Sequence, residues 1–212
     1  MPLFWESKMK NMQELIDSMI VGGALRTPRI IEAFKKVDRK NFIPESFGEY
    51  IYIDAPLPIG NDQTISQPST VAFMLELLEP YEDERILDIG SGSGWTTALL
   101  CSIAGKSGSV QGLERVESLV EVGKHNLSKF DFGPHCSIQK AGKALGRPGE
   151  TFDRILVSAS SSEIPEELFT QLKTGGVLVI PVRNSIFRFR KLSDGSISKE
   201  EYPGFRFVPL IY

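Results

Sequence analysis

The chain has 212 residues, 41% hydrophobic and 24% charged, with a formal net charge of -3. That length suits one compact unit, and the apolar fraction excludes a disordered chain. The weak negative charge gives no electrostatic ground for nucleic acid or anionic lipid as a partner, and no apolar run is long enough to span a bilayer. Residues 1–10 lack the basic start and long apolar run of a signal peptide, so a reducing cytoplasm is the expected setting. The two cysteines, Cys101 and Cys136, fit no metal or redox spacing and read as two reduced thiols. No metal site is expected, and a monomer is the default for a chain that can bury its own core.

Met9, Met12, Leu15, Ile16 and Met19 recur at helical spacing until Gly22-Gly23 ends the run. Thr27 then reads as an N-cap with Pro28 at the first helical position, followed by Ile30, Ile31, Phe34 and Val37 as an apolar face. Lys35, Lys36, Arg39 and Lys40 read as a solvated face. From Phe42 to Gln67 the chain is punctuated by Pro and Gly with little helical period, which marks a long functional segment. Residues 1–67 are accordingly read as a helical extension with an active-site segment, and 68–212 as the core. Pro68 opens a helix carrying Val71, Phe73, Met74, Leu77 and Leu78.

Beyond it, strands and helices alternate. Strands are expected at Arg85–Ile89, Ser109–Leu113, Cys136–Gln139, Asp153–Ser158 and Val177–Val182. Helices are expected through Leu100, over Val116–Phe130 and over Pro165–Leu172. This alternation predicts an α/β doubly wound fold with a mostly parallel sheet and helices on both faces. The end differs: Ile186–Leu192, Asp194-Gly195 and a strand around Phe205–Leu210 predict an antiparallel hairpin.

Asp88-Ile89-Gly90-Ser91-Gly92-Ser93-Gly94 lies between a strand and a helix, where open α/β sheets bind ligands. Its spacing is G-x-G-x-G, against the G-x-G-x-x-G of a dinucleotide site. The acid at Asp88 suits a cationic ligand without phosphate, whose ammonium it could hold through water or neighbouring backbone. Glu114 ends the next strand about 20 residues later, the spacing of an acid that accepts ribose hydroxyls. Its alternative is a solvated carboxylate paired with Arg115.

The run Tyr52-Ile53-Asp54-Ala55-Pro56-Leu57-Pro58-Ile59-Gly60-Asn61-Asp62-Gln63-Thr64-Ile65-Ser66-Gln67-Pro68 closely resembles the signature of the protein-L-isoaspartate O-methyltransferases. Phe42-Ile43-Pro44-Glu45, Phe152-Asp153-Arg154-Ile155, Leu172-Lys173-Thr174-Gly175-Gly176 and Phe207-Val208-Pro209-Leu210 resemble the same family in the same order. The resemblance implies a seven-stranded sheet of the S-adenosylmethionine methyltransferase type, and methyl transfer to the α-carboxylate of L-isoaspartyl residues in damaged proteins. The ester would then cyclise to a succinimide that can open to aspartate. S-adenosyl-L-homocysteine would be the other product. By the motif, Ser66 is the catalytic hydroxyl. Gln63, Thr64, Asp88, Gly90, Ser91, Gly92, Glu114, Arg115, Ala141 and Gly142 would bind the cofactor, and Ile65, Ser158, Ala159 and Ser160 the substrate. An acceptor carboxylate with a pKa near ~4 is already ionised, so orientation and not a general base is the chemical need. Ser66 could equally cap the helix at Pro68, and Asp54 could simply form a turn. His125 and His135 match no catalytic position.

Three departures stand out. The family's acid after the third core strand is absent, with Ala141 or Gly142 in its place. The loop at Val182-Arg183-Asn184-Ser185 is short. Asn61-Asp62 adds negative charge near an anionic substrate. A non-catalytic binder or a methyltransferase for another carboxylate are the alternative readings, and a nicotinamide dehydrogenase is disfavoured by glycine spacing and hairpin alike.

Overall fold

The computed structural model describes residues 9–211, so most of the segment searched for a signal peptide, residues 1–8, lies outside the described residues, as does Tyr212. The order is α1 (Met12–Val21), α2 (Pro28–Lys36), two 3-10 turns (Arg39–Phe42, Glu45–Tyr50), β1 (Leu57–Gly60), β2 (Gln63–Ile65) and α3 (Pro68–Leu78). Then come β3 (Arg85–Ile89), α4 (Trp95–Ala104), β4 (Ser109–Glu114), α5 (Glu117–Leu127), β5 (Cys136–Lys140) and β6 (Phe152–Val157). The chain closes with α6 (Glu167–Thr170), β7 (Leu172–Val182), β8 (Ser185–Lys191) and β9 (Ile197–Pro203).

Seven strands form one sheet in the order β5-β4-β3-β6-β7-β8-β9. The first five run parallel, and β8 and β9 are antiparallel to their neighbours. Because successive side chains of a strand point to opposite faces, Ile86, Val110 and Ile138 enter one buried cluster, while Leu87, Ile89 and Leu113 enter the other. Helices α1–α5 cover the first face. The second is covered by α6 and by irregular chain, because the helix expected over Pro165–Leu172 is only one turn long. The first cluster runs across residues 67 and 68, joining Leu15, Phe34 and Ile65 to Leu75 and Trp95.

Three expectations change. Cys101 on α4 and Cys136 on β5 form a disulfide with Cα atoms 6.0 Å apart, where two reduced thiols were expected. The crossover from β3 to β4 lays α4 on the sheet near β5, which brings two residues 35 apart in sequence together. The hairpin turn falls at Asp194-Gly195 as expected, but its second strand is the polar Ile197–Pro203 and not Phe205–Leu210. Arg39 is not on a solvated face: it is fully buried.

Candidate active site

Gly90 follows β3 at the point where the chain leaves toward β4 on one side and β6 pairs on the other. This is the switch point of the sheet, and a crevice opens there. The loop is held from beneath. Gly90 N–H and Ser91 N–H donate to Leu113 C=O at 2.8 and 3.0 Å, Gly92 N–H donates to Glu114 Oε2 at 2.8 Å, and Gly94 N–H donates to Ser91 C=O at 2.8 Å. Those four amides are therefore spent on protein acceptors and are not available to a pyrophosphate. Gly94 has φ +90°, and a Cβ there would lie 2.9 Å from Ile138 Cδ1 and 3.3 Å from the Gly123 backbone, so only glycine lets α4 start this close to α5.

Asp88 sits under the loop and is fully buried. Its Oδ2 accepts from Thr96 Oγ1 at 2.8 Å and Thr97 Oγ1 at 2.6 Å, and its Oδ1 faces Ser158 Oγ at 3.3 Å. Burial pushes its carboxyl up to about 6, against the pull of these hydroxyls and with a small further push from Glu114. Asp88 does not itself line the crevice; through Thr96 and Thr97 it ties the start of α4 to the end of β3 beneath the loop. Ser91 is likewise buried and does not line the crevice, and its hydroxyl has no partner among the described residues.

Glu114 does face the crevice, 7% exposed, at the end of β4. Its two oxygens accept from Gly92 N–H and Val116 N–H, each at 2.8 Å, and a carboxylate has further acceptor positions to spare. Arg115 does not pair with it: its Nη1 donates to Gly142 C=O at 3.0 Å. Gln63, Thr64, Gly90, Gly92, Glu114, Arg115, Ala141, Ser158 and Ala159 all line this crevice, and Gly142 does not. Sequence reasoning missed Ile59, Leu113, Val116 and the returning residues 208–211. Of these last, 208–210 were legible as part of the family resemblance and of an apolar strand, but not as a wall of the crevice.

A second cleft adjoins the first. Pro56, Thr64, Ser66, Gln67, Thr70, Ser158, Arg206, Phe207 and Val208 line it, and it shares Thr64, Ser158 and Val208 with the crevice. Ser66 does not cap α3. That helix is capped from a distance by Asp54, whose Oδ1 accepts from Ser69 N–H at 2.8 Å and whose Oδ2 accepts from Gln67 Nε2 at 3.3 Å. The hydroxyl of Ser66 consequently keeps no protein partner among the described residues and stands at the cleft wall.

The segment bearing Ser66 is clamped by Arg39. Nη1 donates to Ile51 C=O and Ile53 C=O at 2.9 and 2.8 Å, and Nη2 donates to Ala55 C=O and Ser66 C=O at 2.9 and 3.2 Å. Burial brings the guanidinium down to about 9 with Asp54 opposing, so it remains a cation at neutral pH. Tyr52 turns away to donate to Asp38 at 3.0 Å.

Asn61 and Asp62 are explained by backbone geometry. Both have positive φ, 54° and 56°, as the two-residue turn between β1 and β2 demands, and both are exposed. Asp62 lines neither cleft, so it does not put its charge against an acceptor there. Ile65 is buried in the core, and Ser160 is engaged by the C-terminal segment through Ser160 N–H to Val208 C=O and Leu210 N–H to Ser160 C=O, both 2.8 Å. Neither lines either of these two clefts, although both were expected at the substrate surface. Among the described residues there is no cluster fit to hold a metal and no helix long and apolar enough to cross a membrane.

Known proteins resemble this chain over nearly its whole length. A Methanopyrus kandleri protein-L-isoaspartate O-methyltransferase is 37% identical over 94% of this chain and 90% of its own length. The Trichlorobacter lovleyi enzyme of that name is 41% identical over 94% of this chain and 92% of its own. In three dimensions the chain is similar to a Plasmodium falciparum structure described as a protein-L-isoaspartate O-methyltransferase in complex with S-adenosyl-L-homocysteine. The TM-score is 0.80 at 27% identity, covering 96% of this chain and 99% of that one. The family model for protein-L-isoaspartate(D-aspartate) O-methyltransferase matches residues 9–212. From the glycine loop to the returning C-terminal segment, this chain belongs to the protein-L-isoaspartate(D-aspartate) O-methyltransferase family.

Proposed function

We propose that this chain transfers a methyl group from S-adenosyl-L-methionine to the α-carboxylate of L-isoaspartyl residues in damaged proteins and peptides. The observation that carries the reading is the meeting of two clefts at Thr64, Ser158 and Val208, one edged by Glu114 and the other by the unpartnered Ser66 hydroxyl. When bound, the cofactor supplies a methyl on a cationic sulfonium and leaves as S-adenosyl-L-homocysteine. The crevice fits it: the spare acceptor positions of Glu114 suit ribose hydroxyls, and four amides of the glycine loop are already committed to protein acceptors.

The chain's own task is orientation. Ser66 Oγ donates to the acceptor carboxylate and fixes one oxygen without taking a proton, while the other oxygen faces the shared wall. Such alignment converts an encounter into an intramolecular displacement. The proposal includes a monomer acting in the cytoplasm.

The test is transfer of labelled methyl to paired peptides that differ only in L-isoaspartate versus L-aspartate. The isoaspartyl peptide alone should be labelled. Ser66→Ala should lower kcat about 10- to 100-fold, the scale of a misplaced reactant, while cofactor binding by calorimetry persists. Labelling of neither peptide with cofactor still bound would sink the acceptor assignment in favour of another carboxylate or a non-catalytic binder.

A further inference from the structure

The Ser66 cleft continues into a third, larger depression lined by Gly22, Gly23, Ala24, Ser69, Phe73, Gly204 and Phe205. The two share Pro56, Gln67, Thr70 and Arg206. Together they make one groove that leads away from the reacting centre. Its wall is neutral except at one place. Arg206 is the single charged side chain lining either part, it is exposed, and its guanidinium has no hydrogen-bond or ion-pair partner among the described residues.

Its position is fixed by its neighbours. Phe205 N–H donates to Asn184 C=O at 3.0 Å, and the Phe205 ring stacks on Phe73 of α3 with centroids 5.3 Å apart. Two residues on, Val208 C=O accepts from Ser160 N–H at 2.8 Å. The backbone of Arg206 is thus pinned on both sides while its side chain is uncommitted. By contrast Arg183 is engaged with Ser162 C=O, and Arg188 and Arg190 with Glu79. A lone cation held at a fixed point of a neutral groove selects charge in whatever chain occupies that groove.

We propose that Arg206 is a specificity-determining residue, which favours isoaspartyl peptides carrying an acidic side chain a few residues from the damaged site. The inference rests on the acceptor assignment above and adds a rule about sequence context. Arg206 recognises the flanking carboxylate, not the one that receives the methyl group.

The test is a set of isoaspartyl hexapeptides with Glu, Gln or Lys placed in turn at each position on either side, assayed by methyl transfer with the wild type, R206Q and R206E. For the wild type, kcat/KM should be about fivefold higher for Glu than for Lys at one flanking position, carried by KM, the size of a solvent-exposed charge pair. Added salt should shrink that ratio. R206Q should bring it to within about twofold, and R206E should invert it. Equal wild-type turnover of the Glu, Gln and Lys peptides at every position overturns this inference alone. An equal loss on all peptides in R206Q also overturns it, by placing Arg206 on the acceptor carboxylate. Methylation of no isoaspartyl peptide overturns the acceptor assignment and this inference with it.

Discussion

Replacement of Arg39 by methionine removes the clamp on the Ser66 segment while keeping much of the side-chain volume. Four carbonyls, of Ile51, Ile53, Ala55 and Ser66, lose their donor at once. Hydrogen bonds to a charged donor contribute about 1.5–3 kcal/mol each, and a buried acceptor left unpaired costs about 1–3 kcal/mol. A simple sum would exceed about half of a typical domain's stability, and two effects reduce it. The guanidinium itself is buried at a cost, visible in the lowering of its pKa to about 9, and that cost vanishes with the charge. Water can also enter beside residues 51–55, whose side chains are half-buried. Breaking a buried charged arrangement by removing one partner typically costs about 3–5 kcal/mol, and that is the expected loss for Arg39→Met. For a chain of this size it corresponds to a fall in Tm of about 6–20 °C. Arg39→Lys presents three donors from one point and cannot span four carbonyls, so it should recover only part of the loss. Equilibrium urea unfolding of the three proteins measures the differences. A loss below about 1 kcal/mol for Arg39→Met would show that these carbonyls rehydrate without cost, and the clamp would have to be abandoned.

Two further outcomes follow from the crevice. Asp88 holds its proton more tightly in the folded chain than in the unfolded one, because its pKa is raised from 3.8 to about 6. Its contribution therefore favours folding most below pH 3.8 and is lost as pH rises toward 6, after which it is constant. The difference in unfolding free energy between wild type and Asp88→Asn should change by up to ~1.4 kcal/mol per pH unit within that window and be flat above it; parallel profiles from pH 4 to 8 would contradict the burial argument. At the wall formed by Ala141, an acid would restore the group that the family resemblance leads one to expect. Ala141→Asp should tighten S-adenosyl-L-methionine binding about two- to tenfold by calorimetry, one added hydrogen bond to the base. Unchanged or weaker binding would mean that the base does not lie against this wall.

What could be read in the sequence was what is local. The loop after β3 announces itself because glycines and an acid at fixed spacing occur together, and Glu114 follows at the distance one βα unit requires. Arg39 was opaque for the opposite reason. Its partners are backbone carbonyls, which every residue has, so nothing in residue types 51–66 distinguishes a buried guanidinium from a solvated one. Ser66 was ambiguous until Asp54, fifteen residues before Ser69, proved to cap α3 in its place. The second hairpin strand was misplaced because apolar alternation marks burial, not pairing. The strand that pairs, Ile197–Pro203, is an edge carrying Lys199, Glu200 and Glu201, and such charge discourages further strand addition. The apolar residues after it instead cross the carboxyl edge of the sheet and wall the crevice.

These placements share one logic. A displacement on an ionised carboxylate asks little of acid–base groups and much of geometry. Three chain segments meet where the clefts join, and each is fixed by contacts away from the reacting atoms. The loop after β3 is held by buried Asp88 and by Glu114. The Ser66 segment is held by Arg39 and Asp54. The C-terminal return is held by Ser160 and the Phe73 stack. The supports of the loop after β3 and of the Ser66 segment involve neither Ala141 nor the loop at 182–185, whereas the C-terminal return also leans on that loop, through Phe205 N–H to Asn184 C=O at 3.0 Å.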